Sequence, residues 1–202
     1  MFDGRDCWIF DLDGTLTVPN IDFDRLRSEL GIPAGALILE HLATLPAAEA
    51  SPLHARLAEL ERELACEVEA QEGCRELLEQ LARDGRRLGI LTRNTRANAL
   101  LSLDRLGVAD LFRPRDVLGR DEAAPKPDPD GILALLARWG SRPEQGVMVG
   151  DFRLDLEAGR NAGVRTVHFA HAGSGPWPEL TDLTVDSLHA LRAALAPGGP
   201  GG

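Results

Sequence analysis

Short apolar segments and amphipathic helical segments alternate along most of this 202-residue chain. The apolar segments have the length of strands buried on both faces, and the amphipathic ones repeat apolar residues at helical spacing. Strands are predicted at residues 7–10, 88–92, 116–118, 147–149, 165–169 and 183–185. Helices between and after them are predicted at residues 74–83, 96–106, 130–139, 155–161 and 187–195. This alternation indicates an α/β fold, in which a parallel sheet carries helices on both faces.

Residues 21–72, which follow the first predicted strand, show helical spacing only. Two short apolar stripes lie at Phe23, Leu26 and Leu30 and then at Leu37, Ile38, Leu42 and Leu45. Ser51 and Pro52 are typical of an N-cap and of the first position of a third helix. The apolar positions of that helix are Leu53, Leu57, Leu60, Leu64 and Val68. We interpret it as a solvated amphipathic helix rather than a coiled coil, because the run is too short for several heptads.

Two carboxylates directly follow the first predicted strand. Asp11 and Asp13 are separated by one leucine, and Gly14 and Thr15 then turn the chain away. Open α/β sheets bind their ligands at the carboxyl ends of the strands. Carboxylates this close repel each other unless a cation lies between them, and a hard cation such as Mg²⁺ prefers oxygen ligands. The alternative is an ordinary turn, because Asp and Gly both favour turns.

Lys126 is the only lysine of the chain, beside 21 arginines. It lies between Pro125 and Pro127 in a loop that leads into the helix predicted at 130–139. Lysine carries a compact charge on a flexible stem, which the planar guanidinium of arginine does not replace in a tight site. A single retained lysine therefore indicates a site residue, and the alternative is a solvated loop lysine.

Thr92 ends the second predicted strand, and Arg93 and Asn94 follow it. Hydroxyl groups and unpaired backbone amides at the start of a helix suit anions, because they donate hydrogen bonds at the positive end of the helix dipole. This segment is therefore a candidate anion site.

Gly150 and Asp151 follow the strand predicted at 147–149, and Asp155 lies one helical turn further on the same face. The pattern places two more carboxylates at the edge of the sheet where Asp11 is expected. The alternative for Asp155 is an exposed carboxylate at a helix start, where acidic residues are favoured in any case.

Taken in the order in which they occur along the chain, the four segments resemble the four motifs of the haloacid dehalogenase-like (HAD) phosphohydrolases. The matches are D-x-D-G-T at residues 11–15, a threonine at residue 92, Lys-Pro at residues 126–127 and G-D-x-x-x-D at residues 150–155. The resemblance covers roughly residues 6–170. It departs from the family pattern at Arg93, because many members carry asparagine directly after the threonine.

The resemblance implies a role for each matching residue. Asp11 is the expected nucleophile, Asp13 the general acid and base, and Lys126 the cation that neutralises the phosphate and the nucleophile. The expected Mg²⁺ ligands are Asp11, the backbone carbonyl of Asp13, and Asp151. The phosphate is expected to contact Thr92, Arg93, Asn94 and Lys126, and the supporting residues are Asp155, Gly150 and Thr15. The departure at position 93 leaves open whether Arg93 contacts the substrate.

The resemblance also implies an architecture: a Rossmann-like core of residues 1–16 and 74–196 and a small helical cap of residues 17–73, inserted after the first strand. The tail, residues 197–202, is of low complexity, and we predict that it is disordered. The cap carries 11 acidic residues against 4 arginines. We interpret five cap residues as solvated or structural, namely Arg25, Arg27, His41, Arg56 and Arg62.

The activity implied is Mg²⁺-dependent hydrolysis of small phosphate monoesters through an aspartyl phosphate, as in the phosphoglycolate phosphatase-like branch. Two alternatives stay open, a β-phosphoglucomutase-like phosphomutase and a non-catalytic binding protein on the same scaffold. A dehalogenase is disfavoured, because that chemistry needs neither a metal nor an acid at Asp13. The expected partner is a small phosphorylated metabolite, and the oligomeric state is left open.

Charge and cysteine content narrow the class of protein further. The net charge of −10 argues against nucleic acid or an anionic membrane as a partner. The sequence contains no apolar run of membrane-spanning length, and its N-terminal residues do not resemble a signal peptide. The three cysteines are odd in number and lack metal-site spacing, which predicts free thiols and a reducing cytoplasm.

Overall fold

The computed structural model describes residues 2–20, 22–171 and 174–195. Six parallel strands form one sheet in the order β3-β2-β1-β4-β5-β6. They are β1 (Cys7–Phe10), β2 (Arg87–Leu91), β3 (Val117–Leu118), β4 (Gly146–Gly150), β5 (Arg165–Phe169) and β6 (Leu183–Val185). The predicted Rossmann-like α/β fold is confirmed. The strand predictions differ from these bounds by two residues at most.

Eight α-helices accompany the sheet within the described residues. They are α1 (Phe23–Leu30), α2 (Ile38–Ala43), α3 (Ala47–Ala65), α4 (Cys74–Arg83), α5 (Arg96–Arg105), α6 (Asp130–Arg138), α7 (Arg153–Ala162) and α8 (Leu188–Ala194). None of the helices in this part of the chain is long and apolar enough to cross a membrane. The predicted disordered tail, residues 197–202, lies outside the described residues.

Successive side chains of β1 point to opposite faces of the sheet, as the pleat requires. Trp8 and Phe10 join one apolar cluster, which also contains residues of α4, α5 and α8. Cys7 and Ile9 join a second cluster, with residues of α6 and α7. Because both faces of β1 are covered, its four residues are all buried, which explains why it reads as a continuous apolar run.

Helices α1, α2 and α3 share an apolar cluster of their own, made of Leu26, Leu30, Ile32, Ile38, Leu42, Leu57 and Leu60. This separate cluster supports a cap, and the boundaries at residues 17 and 73 stay a prediction. Its two connections to the core run side by side. The Val18 N–H donates to the Glu69 carbonyl at 2.9 Å, and Thr17 forms an antiparallel bridge with Ala70. The prediction of helices only over residues 21–72 was therefore wrong at Ala70.

The predicted start of the third cap helix was also wrong. The helix begins at Ala47 after Pro46, and Pro52 lies inside it. Pro46 is compatible with a helix start because the residue before it is forced towards extended backbone, and the alanines that follow favour helix. Val68 lies beyond the helix, which ends at Ala65.

Candidate active site

The predicted site residues meet at one edge of the sheet. Asp11 follows β1, Thr92 follows β2, and Asp151 follows β4, while Lys126 lies in the loop after β3. Since β2 and β4 are the two neighbours of β1 in a parallel sheet, the carboxyl ends of all three strands point to the same edge. The topology thus gathers residues that are far apart in sequence.

Lys126 bridges two carboxylates at the centre of this edge. Its Nζ lies 2.5 Å from Asp11 Oδ1 and 2.5 Å from Asp155 Oδ1, and it donates to the Leu91 carbonyl at 3.0 Å. Burial acts to lower the pKa of Lys126, but the two carboxylates outweigh it and raise the pKa above its usual value. With only 2% of Lys126 exposed, a solvated loop lysine is ruled out.

Three carboxylates form a cluster that fits a hard divalent cation. One ligand oxygen from each of Asp11, Asp151 and Asp155 lies within 4.8 Å of the other two. Oxygen donors of this kind are those that Mg²⁺ prefers. Burial raises the pKa of Asp11 well above its usual range, the charge of Lys126 lowers it, and the other carboxylates raise it further. A bound cation would relieve this repulsion.

Asp155 is buried, so the alternative of an exposed helix-start carboxylate is wrong. One carboxylate oxygen pairs with Lys126, and the other accepts a hydrogen bond from the Phe152 N–H at 3.0 Å. Gly150 makes room for it, because a Cβ at that position would overlap the side chain of Asp155. The supporting positions predicted from sequence thus contact the cluster directly.

Asp13 faces the side of the site where Thr92 and Asn94 lie. Its carboxylate accepts a hydrogen bond from Thr92 Oγ1 at 3.4 Å, and the Asn94 side chain also bonds to it. Burial raises the pKa of Asp13, although Asn94, Lys126 and Thr92 act to lower it. Asp13 does not contribute its carboxylate to the metal cluster, and the predicted role of its backbone carbonyl stays a prediction.

Asn94 and Arg93 point in different directions. Asn94 Oδ1 accepts from the Thr95 N–H at 2.8 Å and from Asn98 Nδ2 at 3.1 Å, which turns the Asn94 amide nitrogen towards Asp13. The side chain of Arg93 instead reaches the cap, where Nη2 lies 2.6 Å from Glu40 Oε2. The inserted arginine therefore does not displace Asn94 from the site.

The side chain of Asp151 is held on both sides. Thr15 Oγ1 donates to Asp151 Oδ1 at 3.0 Å, and His171 Nε2 lies 2.9 Å from Oδ2. Gly14 has a φ of +94°, and a Cβ there would lie 2.6 Å from Asp151 Oδ2, so both the turn and the contact require glycine. His171 was missed from the sequence, although its place two residues after β5, at the same sheet edge, is a signal for it.

A cavity of about 420 Å³ lies above these groups. We call its charged side the floor, made of Asp11, Asp13, Lys126, Asp151 and Asp155. We call its cap side the roof, made of Phe23, Leu26, Leu37, Ile38, Leu39 and Leu57. Phe23 belongs to the predicted apolar stripe of α1, but 54% of it is exposed, and it lines this cavity.

A buried ion pair joins the cap to the core beside the cavity. Arg120 Nη1 lies 2.8 Å from each carboxylate oxygen of Glu61 and also donates to the Arg93 carbonyl at 3.2 Å. Burial raises the pKa of Glu61 to about 7, although Arg120 acts to lower it. Sequence reasoning missed both residues, because they are 59 positions apart and belong to no motif.

Comparison with known proteins agrees with this geometry. Residues 25–169 match the haloacid dehalogenase-like hydrolase family. The chain belongs to the haloacid dehalogenase-like hydrolase family. This HAD-like hydrolase is 30% identical over 187 residues to an uncharacterized hydrolase of Saccharomyces cerevisiae, covering 89% of this chain and 86% of that protein. It is 33% identical over 224 residues to a phosphoglycolate phosphatase of Rhodospirillum rubrum, covering 96% of this chain and 92% of that protein.

The fold of this HAD-like hydrolase is shared with solved structures. A hydrolase of the haloacid dehalogenase-like family from Streptococcus pneumoniae superposes with a TM-score of 0.75 at 21% identity, covering 96% of this chain and 100% of that one. The predicted resemblance to HAD hydrolases, and with it the expectation of an enzyme, is confirmed. The family match begins after Asp11 and Asp13. The predicted roles of these two residues therefore rest on their sequence motif and their geometry.

Proposed function

We propose that this HAD-like hydrolase is a Mg²⁺-dependent phosphatase, which cleaves small phosphate monoesters through an aspartyl phosphate on Asp11. The observation that carries the proposal is the bridge of Lys126 between Asp11 and Asp155, beside the carboxylate of Asp151. The arrangement combines a nucleophile (Asp11), a fixed positive charge (Lys126) and a site for a metal ion in one cluster. Phosphoryl transfer needs these elements, because its catalysis rests on positioning and on neutralising charge.

Asp11, Asp151 and Asp155 supply the oxygen donors that would hold Mg²⁺, with the backbone carbonyl of Asp13 as a further candidate ligand. When bound, the ion offsets the repulsion between the carboxylate nucleophile and the phosphate. Lys126 acts in the same direction as a permanent positive charge. The pKa of Asp11 is raised when no metal ion is bound, and the nucleophile must be ionised to attack. This supports the need for both the metal ion and Lys126.

Asp11 and Asp13 carry the bond-making and proton-transfer steps of this reaction. An oxygen of Asp11 attacks phosphorus while the bond from phosphorus to the leaving oxygen breaks, and Asp13 gives its proton to the leaving alcohol. A water molecule then attacks the phosphorus of the aspartyl phosphate. Asp13 takes the proton of that water, and phosphate and the Asp11 carboxylate are released. The raised pKa of Asp13 supports its role as the acid in the first step.

Thr92, Asn94 and Lys126 line the cavity where the phosphate oxygens would lie. A small phosphorylated metabolite fits the cavity volume of about 420 Å³, whereas a folded macromolecule does not reach a floor covered by the cap. Relatives named phosphoglycolate phosphatase support the class of reaction. Neither nucleic acid nor a membrane is part of this proposal.

The test is release of inorganic phosphate from a panel of phosphate monoesters, with Mg²⁺ or with a chelator. Wild type with Mg²⁺ is expected to release phosphate, and both the chelator and Asp11→Asn should abolish the release. Asp104→Asn is the matched control, because Asp104 is an exposed carboxylate of α5 outside the site. Mg²⁺-independent release, or full activity in Asp11→Asn, would contradict the proposal. A sugar bisphosphate formed in place of free phosphate would favour the mutase.

A further inference from the structure

The roof bounds the part of the cavity that lies opposite the reacting groups. Its six side chains are all apolar, and they come from α1, α2, α3 and the α1–α2 connection. Two of them, Phe23 and Leu37, are 54% and 43% exposed, although large apolar side chains are normally withdrawn from water. Both side chains line a cavity that a ligand would fill.

Each of the two arginines that line this cavity forms an ion pair through one of its nitrogens with an acidic residue. Arg27 Nη2 lies 2.7 Å from Asp24 Oδ1, and Arg93 Nη2 lies 2.6 Å from Glu40 Oε2. Glu61 of the cap also lines the cavity, and it is paired with Arg120. The roof side of the cavity therefore presents neutralised pairs and apolar surface.

The cavity is larger than a two-carbon leaving group needs. A void of about 150 Å³ lined by apolar side chains holds a benzene ring. The volume of about 420 Å³ leaves space for a phosphoryl group on the floor and for a ring or a chain of several carbons beneath the roof.

We propose that the preferred substrate is a phosphate monoester of an apolar alcohol, whose carbon chain or ring packs against the roof. The inference rests on the proposed phosphatase activity and names its leaving group. An ester with a second anionic group would have to bury that charge against apolar side chains, which is costly without an unpaired cation. Arg27 Nε and Arg93 Nη1 are buried nitrogens without a hydrogen-bond partner among the described residues. These two nitrogens could donate to a carboxylate, so the experiment compares an apolar leaving group with one that carries a carboxylate.

The experiment measures kcat/KM for propyl, butyl and pentyl phosphate and for 4-phosphooxybutanoate, which ends in a carboxylate. The primary alcohols of the alkyl series are similar leaving groups, so differences within it report packing. We expect kcat/KM to rise about fourfold for each added methylene. We expect pentyl phosphate to exceed the carboxylated ester by at least about tenfold, because the carboxylate loses its hydration.

Leu37→Lys places a cation on the roof and should shift the preference towards the carboxylated ester by about threefold to fivefold, the range of an exposed ion pair. Leu133→Lys is the matched control, because Leu133 is 42% exposed on α6 and does not line the cavity. The control should leave the preference unchanged. If Leu37→Lys shifts the preference no more than the control does, the roof does not contact the leaving group and the inference fails.

A binding measurement separates this inference from the proposed function. Pentyl phosphate and 4-phosphooxybutanoate are titrated by calorimetry into Asp11→Asn with Mg²⁺. Turnover of the carboxylated ester at an equal or higher kcat/KM overturns the inference and leaves the phosphatase intact. Absence of turnover with tighter binding of pentyl phosphate overturns the phosphatase and supports the apolar site. Absence of both turnover and binding preference overturns both.

Discussion

The floor of the cavity is charged and fixed by the ends of sheet strands, whereas the roof is apolar and carried by three helices with their own small cluster. Lys126 and Asp155 on the floor are each only 2% exposed, while Phe23 and Leu37 on the roof are half open to solvent. We therefore propose that the floor sets the reaction and that the roof sets the leaving group. Substitutions on the two sides should therefore differ in kind as well as in size.

The largest effect is expected on the floor, for Lys126→Met. This substitution leaves Asp11 and Asp155 buried together without their shared cation. We expect phosphate release to fall by at least about 10²-fold and the free energy of unfolding to fall by about 3 kcal/mol. Activity assays and urea denaturation measure the two effects.

Arg25→Met is the control for that experiment, because the ion pair of Arg25 with Glu29 lies on the surface of the cap. It should change neither quantity appreciably. A Lys126→Met variant that unfolds like the wild type and keeps its activity would break the distinction between floor and roof.

An intermediate effect is expected where the cap meets the core, at Glu61. Its pKa of about 7 in the folded protein exceeds the usual value of 4.5, so the folded state binds more protons between these pH values. The stabilising contribution is complete below about pH 4.5 and is lost as the pH rises through 7. We expect the stability of the wild type, relative to Glu61→Gln, to fall by about 3 kcal/mol over this range.

Urea denaturation of both proteins at a series of pH values measures this difference, and the variant serves as the reference for all other titrating groups. Arg120 remains in both proteins, so a constant offset between them reports the lost pair. Parallel stability curves across this pH range would show that Glu61 is ionised throughout and would contradict the account.

The smallest effect is expected at the exposed pair of Arg93 and Glu40. Glu40→Gln should lower the free energy of unfolding by less than about 1 kcal/mol, because solvent screens the pair. It should also raise kcat/KM for 4-phosphooxybutanoate relative to pentyl phosphate, since the charge of Arg93 is no longer neutralised. An unchanged ratio would show that Arg93 does not face the leaving group.

The floor could be predicted from the sequence because three of its five residues, Asp11, Asp13 and Asp151, lie next to a recognisable strand end. Asp11, Asp13 and Asp151 follow apolar runs directly, and Lys126 was singled out by its uniqueness. In a parallel sheet with β1 between β2 and β4, strand ends share one edge, so local patterns determined the arrangement. The ambiguity between Arg93 and Asn94 depended on side-chain directions that a linear pattern does not contain.

The roof and its connections to the core could not be predicted in the same way. Helical spacing identified Leu26 and Leu57 as apolar positions, but whether such a position faces the cap cluster, the cavity or solvent depends on how the helices pack. The sequence predicts a helix start at Pro52, because proline is favoured in the first turn of a helix. The alanines before it also favour helix, and α3 therefore begins at Ala47. The pair of Glu61 and Arg120 is a long-range contact without a motif.

The central claim is that Asp11 becomes phosphorylated during turnover, and acid quenching tests it most directly. Wild type is mixed with Mg²⁺ and pentyl phosphate, quenched during turnover, and digested for mass spectrometry. The account predicts that the peptide containing Asp11 carries one additional phosphoryl group. Borohydride should reduce this acyl phosphate, so that phosphate is released and homoserine is left at position 11. Turnover without phosphoryl transfer to Asp11, or with the phosphoryl group on another residue, would contradict it.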